Sequence, residues 1–175
     1  MHATLRHHTL HNSSIVLATL NARYTHASFG LRYLLANLGQ WQAHTQIQEY
    51  ILQSNLQEVA EKMLAAQPAV LGLGVYIWNI EQTTKLVKLL KVLQPKLIIV
   101  LGGPEVSYET AEQAIVQAAD FVITGWGEVS FKKLCDALLG QDFTPLNKII
   151  IGEQAALADL SLPYDLYSAE DIAHR

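Results

Sequence analysis

Short apolar runs rich in β-branched residues recur along this chain, and between them leucine returns every three or four positions. The first run, residues 14–20, reads as a strand. Residues 27–38 follow as a helix, with Leu31, Leu34, Leu35 and Leu38 on one face at i, i+3, i+4 and i+7. Residues 45–51 alternate, Ile47, Glu49 and Ile51 against Gln46, Gln48 and Tyr50, as suits a half-exposed edge strand. Asn55 and Glu58 have the form of a capping box, which predicts a second helix to about residue 66, ended by Pro68. A third strand over 70–76 is kept slim by Gly72 and Gly74. Asn79 with Gln82 then reads as the cap of a third helix, whose buried stripe is Leu86, Leu89, Leu90 and Leu93 and which Pro95 stops. Residues 97–101 form a fourth strand, 110–118 a fourth helix and 121–124 a fifth strand. A fifth helix follows with Phe131, Leu134, Cys135 and Leu138 on one face.

Strands alternating with helices predict an α/β domain, a flavodoxin-like or Rossmann-like doubly wound parallel sheet. With the alternating strand at the edge, the expected sheet has five strands in the order 2-1-3-4-5. Its right-handed crossovers leave a switch point between strands one and three. Residues 1–13 read as a flexible, histidine-containing N-terminus and 14–140 as the α/β domain. Residues 141–175 read as a short extra strand at 148–151 followed by a linker toward a further domain.

Composition narrows the function. Of 175 residues half are hydrophobic, enough for a substantial core, and the net charge of −4 without a long basic run argues against nucleic-acid binding. No apolar stretch reaches the ~18 residues of a membrane span, and residues 1–14 lack the apolar core of a signal peptide. The single cysteine, Cys135, excludes a disulfide framework or a cysteine-ligated cluster built from this segment, and fits a cytoplasmic location. On an apolar helical face it reads as core.

The candidate chemistry lies where the strands end, because open α/β sheets bind ligands at the carboxyl ends of their strands. The fourth strand runs into Gly102, Gly103, Pro104 and Glu105, and two adjacent glycines remove side chains where a ligand can meet the backbone. Tyr76 and Trp78 after the third strand are placed to stack on a planar ligand or to pack on the third helix, with Asn79 as a cap. After the first strand come Asn21, Arg23, Tyr24, Thr25 and His26. There Arg23 can meet a phosphate or carboxylate or stay solvated, and His26 can act as a metal ligand, as an acid–base group or simply as the start of the helix. Gly125, Trp126, Gly127 and Glu128 follow the fifth strand, and Glu128 sits where a helix start favours a carboxylate. His7, His8 and His11 have the composition of a metal tract but read as a tail without function. Familiar occupants of such a crevice are disfavoured. The turn after strand one has no glycine for a dinucleotide, and Val75 and Tyr76 stand where a phospho-receiver needs an aspartate. No nucleophile–base–acid set is evident.

Four segments carry a resemblance: residues 20–34, 72–79, 100–105 and 123–128, after strands one, three, four and five. With them the chain resembles the N-terminal cobalamin-binding domain of cobalamin-dependent radical S-adenosylmethionine enzymes, over about residues 14–140. The resemblance implies a corrinoid across the carboxyl ends of the strands. The nucleotide tail would lie beside strands one, three and four, with Gly102 and Gly103 permitting close contact. It also implies a parent chain, such as a methyltransferase, whose radical domain binds a [4Fe-4S] cluster and S-adenosylmethionine, and of which this chain is the cofactor module and not itself catalytic. Methionine-synthase-type domains carry Asp-x-His-x-x-Gly after strand one. Here Tyr24 replaces the aspartate and Gly30 lies one residue too far from His26, so the resemblance implies a base-off corrinoid without a histidine ligand and no protein metal ligand. The competing reading is a flavodoxin-like sensor or interaction module whose crevice is empty or holds another small molecule.

Overall fold

A computed structural model describes residues 14–22, 27–140 and 146–173. The sheet is parallel throughout, in the order β2-β1-β3-β4-β5-β6. Its strands are β1 (Ile15–Asn21), β2 (Thr45–Ile51), β3 (Val70–Gly74), β4 (Ile98–Gly102), β5 (Phe121–Thr124) and β6 (Ile149–Ile151). The expected five-strand order is present, and β6 extends it by one. Helices α1 (Phe29–Ala36), α2 (Leu56–Ala65), α3 (Ile80–Leu93), α4 (Ala114–Ala118) and α5 (Glu128–Leu139) connect the strands, and α6 (Ala169–Ala173) ends the described chain.

The double winding follows from the period of two along each strand. Val16, Ala18, Leu20, Leu71, Leu73, Val75, Ile99, Leu101 and Val122 point to one face, where α2, α3 and α4 cover them. Ile15, Leu17, Val70, Val100 and Ile123 point to the other, beneath Leu31 of α1 and Phe131, Leu134 and Cys135 of α5. Central strands are thus buried on both sides, as their greasy sequences require.

Local signals were obeyed unevenly. The Asn55 carboxamide accepts the N–H groups of Gln57 (2.9 Å) and Glu58 (3.4 Å), as its capping box predicts. In α3 the buried stripe is Thr83, Leu86, Val87 and Leu90, while Leu93 is exposed, because the helix outruns the sheet it covers. The helix expected over 27–38 is broken after Asn37, and a 3-10 segment over Gly39–His44 takes the chain to β2. The helix expected over 110–118 begins only at Ala114, after a separate 3-10 turn. Asn79 occupies the N-cap position of α3 without capping it. Its fully buried carboxamide instead accepts the Tyr76 N–H (2.8 Å) and lies within donor range of Leu20 O (3.0 Å), Gly74 O (3.2 Å) and Thr19 Oγ1 (3.3 Å). These acceptors stand at the ends of β1 and β3, where Thr19 Oγ1 also donates to Gly74 O at 3.1 Å, so the amide clasps the two strand ends together.

Residues beyond β6 return to α1. Ser161 and Asn37 exchange two hydrogen bonds (2.9 and 3.0 Å), and Asp171 reaches Arg32 at 3.0 Å. Among the described residues no helix is long and apolar enough to cross a membrane.

Cys135 is fully buried in the α1/α5 core, as its face predicts. Burial, reinforced by the Asp136 charge and opposed by that of Lys132, pushes its thiol up to about 12. The thiol should therefore resist iodoacetamide at pH 8.5 in the folded protein and react readily in guanidinium. Because an unfolded thiol ionises near its ordinary value of 9.0, this group's share of stability is complete below that pH. It is lost as pH rises toward about 12. Labelling followed by intact mass spectrometry checks the first point; equal labelling rates in both states would contradict it.

Candidate functional site

On the face covered by α1 and α5 the period of two places Gly72 and Gly74 of β3 in one row, Val100 and Gly102 of β4 in the next, and Ile123 with Gly125 at β5. Toward the carboxyl ends those rows are nearly bare of side chains. Gly30, Leu31 and Leu34 of α1 stand on one side and Gly127, Glu128 and Phe131 on the other, enclosing a cleft of about 150 Å³. The crevice lies over β3, β4 and β5. Among the described residues none of β1 lines it; Leu17 and Thr19 pack beside Gly72 and Gly74.

Steric needs separate the glycines. A Cβ on Gly72 would meet Leu17 Cδ2 at 2.8 Å and Phe131 Cζ at 3.2 Å, so packing alone explains that glycine. Gly103 has φ +113°, and a Cβ there would stand 2.4 Å from Val75 O. That contact is with the protein's own backbone, so Gly103 serves the fold first. Gly102 has no such reason: its Cβ would meet nothing nearer than Ile123 O at 3.9 Å. Nothing lies within 4 Å of a Cβ on Gly125, although its φ of +72° favours glycine. The open space beside Gly102 and Gly125 belongs to the cleft.

Tyr76 reaches over one end of the cleft. Its hydroxyl lies 3.4 Å from the Cβ position of Gly30, and its ring stacks on Trp78 at 4.6 Å with 4° between planes. Of the residues singled out in sequence, the cleft thus gathers Tyr76, Gly102, Gly103, Gly125, Gly127 and Glu128. Trp78, stacked on Tyr76, and Trp126, between Gly125 and Gly127 of the lining, are half exposed. Pro104 and Glu105 form a 3-10 turn after β4, outside the lining. Asn21 also lies apart, its amide donating to Glu49 Oε1 at 3.3 Å. Arg23, Tyr24, Thr25 and His26, and likewise His7, His8 and His11, fall outside the described residues. Among the described residues no cluster of histidine, cysteine or carboxylate side chains could hold a metal ion.

Sequence reading missed the part played by Gly30, Leu34, Gly74 and Phe131, although Gly74 shares the face of Gly102 by simple alternation. It also missed Arg32, buried although charged. Its guanidinium meets Glu49 Oε2 at 2.7 Å and Asp171 Oδ1 at 3.0 Å, and lies 4.9 Å from the centre of the Tyr167 ring. Burial opposes that charge, but the two carboxylates prevail and hold the pKa above its ordinary value. Burial likewise works against the Asp171 carboxylate, and the hydrogen bonds from Ser168 and Arg32 prevail to lower its pKa.

Comparison with known proteins bears on this site. Residues 15–135 match the family described as the B12 binding domain. An 80-residue segment is 34% identical to the cobalamin-dependent radical SAM methyltransferase TokK of Streptomyces tokunonensis, covering 45% of this chain and 12% of that protein. A segment of 84 residues is 32% identical to the 2-(S-pantetheinyl)-carbapenam-3-carboxylate methyltransferase of Streptantibioticus cattleyicolor, covering 47% and 12%. The matched segments thus span about an eighth of each relative. In fold, the chain is similar to the cobalamin-dependent S-adenosylmethionine radical enzyme OxsB with aqua-cobalamin bound (TM-score 0.62, 15% identity, 83% of this chain and 23% of that one). It is also similar to a cobalamin-binding protein from Desulfitobacterium hafniense DCB-2 (TM-score 0.54, 19% identity, 74% and 60%) and to a CheY-like protein from Pseudomonas aeruginosa PAO1 (TM-score 0.51, 21% identity, 75% and 97%).

The two adjacent glycines should respond oppositely to alanine. Gly103→Ala forces a side chain into an extended, positive-φ conformation essentially reserved to glycine, which costs about 1–3 kcal/mol, before any clash with Val75. The midpoint of thermal unfolding should then fall by at least about 2 °C from backbone strain alone, at ~2–4 °C per kcal/mol for a chain of this size, and further through the clash with Val75. Gly102→Ala should leave it within about 2 °C, because the strand accepts the methyl group. Thermal melts followed by circular dichroism decide; equal losses would refute the distinction.

Proposed function

The chain belongs to the B12 binding domain family, and from that membership we propose that the glycine-lined cleft receives the nucleotide tail of a cobalamin. The corrin then rests outside, against the exposed residues at the strand ends. The observation that carries this reading is the open space beside Gly102, a residue that neither backbone conformation nor packing requires to be glycine. The cleft is mainly apolar in character and of a size that accommodates an aromatic ring such as the base of the tail, not a macrocycle.

In this reading Leu31, Leu34 and Phe131 enclose the base, Gly102 and Gly125 let it lie on the backbone, and Tyr76 bounds the mouth. Trp78 and Trp126, half exposed beside it, offer flat apolar surface to the corrin. Asn21, Pro104 and Glu105, which stand outside the lining, would contribute only from around the rim. Cobalamin, when bound, supplies a cobalt centre able to carry a methyl group. The protein's task is to bind and orient it with the tail drawn away from the metal. We infer a base-off state in which His26 is not a ligand, since the spacing of the histidine motif is broken.

The parent is proposed to be a cobalamin-dependent radical S-adenosylmethionine enzyme, with a methyltransferase as the reading that its relatives favour. Its [4Fe-4S] cluster and S-adenosylmethionine would reside in a radical domain of the same chain, which is this module's partner, in the cytoplasm. The module alone is proposed to bind without catalysing.

Incubation with hydroxocobalamin followed by desalting should leave a red-brown protein with one equivalent of corrinoid. Gly102→Val, whose branched side chain projects into the cleft, should keep the wild-type circular dichroism and lose at least about tenfold in affinity. Undiminished uptake by this variant would overturn the placement of the tail; complete separation of vitamin from wild-type protein would favour the sensor-module reading. After reduction to cob(II)alamin, the electron paramagnetic resonance should lack the splitting of an axial nitrogen in wild type and in His26→Ala alike. Nitrogen splitting lost only in the variant would make His26 the ligand.

A further inference from the structure

Helix α1 serves two neighbours at once. One side, through Gly30, Leu31 and Leu34, is a wall of the cleft. Its other side and its C-cap carry the segment that follows β6. Arg32 is 5% exposed and joins Glu49 of β2 to Asp171 at 2.7 and 3.0 Å. Glu49 is held in turn by the Ser28 N–H at 2.6 Å, immediately before the helix. Asn37 closes a two-bond clamp on Ser161 at the helix end. Asp171 is itself fixed, since Ser168 and Asp171 exchange backbone-to-side-chain bonds at 2.9 and 3.1 Å in a capping arrangement that opens α6. With the sheet edge on one flank and the strap on the other, an eight-residue helix that is too short to be stable alone is fixed in place.

We propose that residues 161–171 form a strap that sets α1 as the cleft wall, with Arg32, Asn37 and Asp171 as positioning residues for the cofactor. The inference rests on the cobalamin reading above and adds to it a coupling: docking of the strap and occupancy of the cleft strengthen one another. Linkage makes this reciprocal. Cofactor binding therefore holds the strap down, and whatever pulls on the chain beyond Asp171 loosens the grip on the cofactor. The segment that leads out of the module thereby reports whether the module is loaded.

Two measurements test it. Hydroxocobalamin affinity is expected to fall about tenfold in Asp171→Ala and in Asn37→Ala, within the usual range of such couplings, with recovery in Asp171→Glu. Amide exchange across 161–171 should slow when wild-type protein binds hydroxocobalamin, a response that a merely structural contact would not give. Affinities within twofold of wild type, or strap exchange indifferent to the cofactor, overturn the coupling. If wild-type protein takes up no cobalamin, the cofactor reading is what has failed. The strap is then judged by exchange within α1: faster exchange in Asp171→Ala sustains it as the support of that wall, and unchanged exchange overturns it.

Discussion

Just past the last paired residues of β3 and β4, Val75 donates its N–H to Gly102 O at 2.8 Å, and the chain must then turn without a side chain at Gly103. The positive φ of Gly103 and the 2.4 Å that would separate its Cβ from Val75 O describe two backbones in direct apposition. That apposition brings the central strands to a common end and leaves Gly102 facing the α1/α5 side with open space above it. The crevice exists because this floor is flat. Asn79 reinforces it from the neighbouring pair, holding the ends of β1 and β3 with a buried carboxamide whose hydrogen bonds are satisfied within the protein.

Given that floor, the walls are a matter of which rows carry side chains. The opposite face of the sheet is filled to the strand ends by Leu20, Leu73, Val75 and Leu101 under α2 and α3. The α1/α5 face is filled by Ile15, Leu17, Val70 and Val100 in its lower rows, but at the level of Gly74 and Gly102 only by Thr19 and Ile123 on either side. One face is therefore a core and the other a core that opens into a cleft. The absence of a side chain at Gly102 gives up burial that a Val or Leu would contribute at about 1.5–3 kcal/mol. A stability-driven sequence would not be expected to forgo that at Gly102, where a side chain meets no obstacle. In the proposed reading a bound aromatic group takes the place of the missing side chain.

The architecture was legible wherever the chain alternates cleanly or caps conventionally. The strands at 45–51 and 121–124 fall where alternation and β-branching put them, and Asn55 starts its helix as its spacing indicates. The resemblance on the four strand-end segments agrees with the family match over residues 15–135. What was hidden depended on three dimensions. Gly102 and Gly103 look alike in sequence, and only the neighbouring strand shows that one answers to Val75 and the other to open space. Asn79 has a cap's identity and position, but the carbonyls of Leu20 and Gly74 at the strand ends recruit it. Arg32 carries no signal in the sequence, because its partners Glu49 and Asp171 are distant along the chain and meet it only in the fold.

The central claim concerns the nucleotide tail rather than the corrin ring, so the discriminating comparison is between hydroxocobalamin and cobinamide, which keeps the ring and lacks the tail's base. Isothermal titration of the wild-type chain is predicted to give cobalamin at least a hundredfold tighter binding than cobinamide, about 2.7 kcal/mol, for burial of an aromatic base in the cleft. Equal affinities would contradict the account, since the ring would then bind without any use of the space beside Gly102.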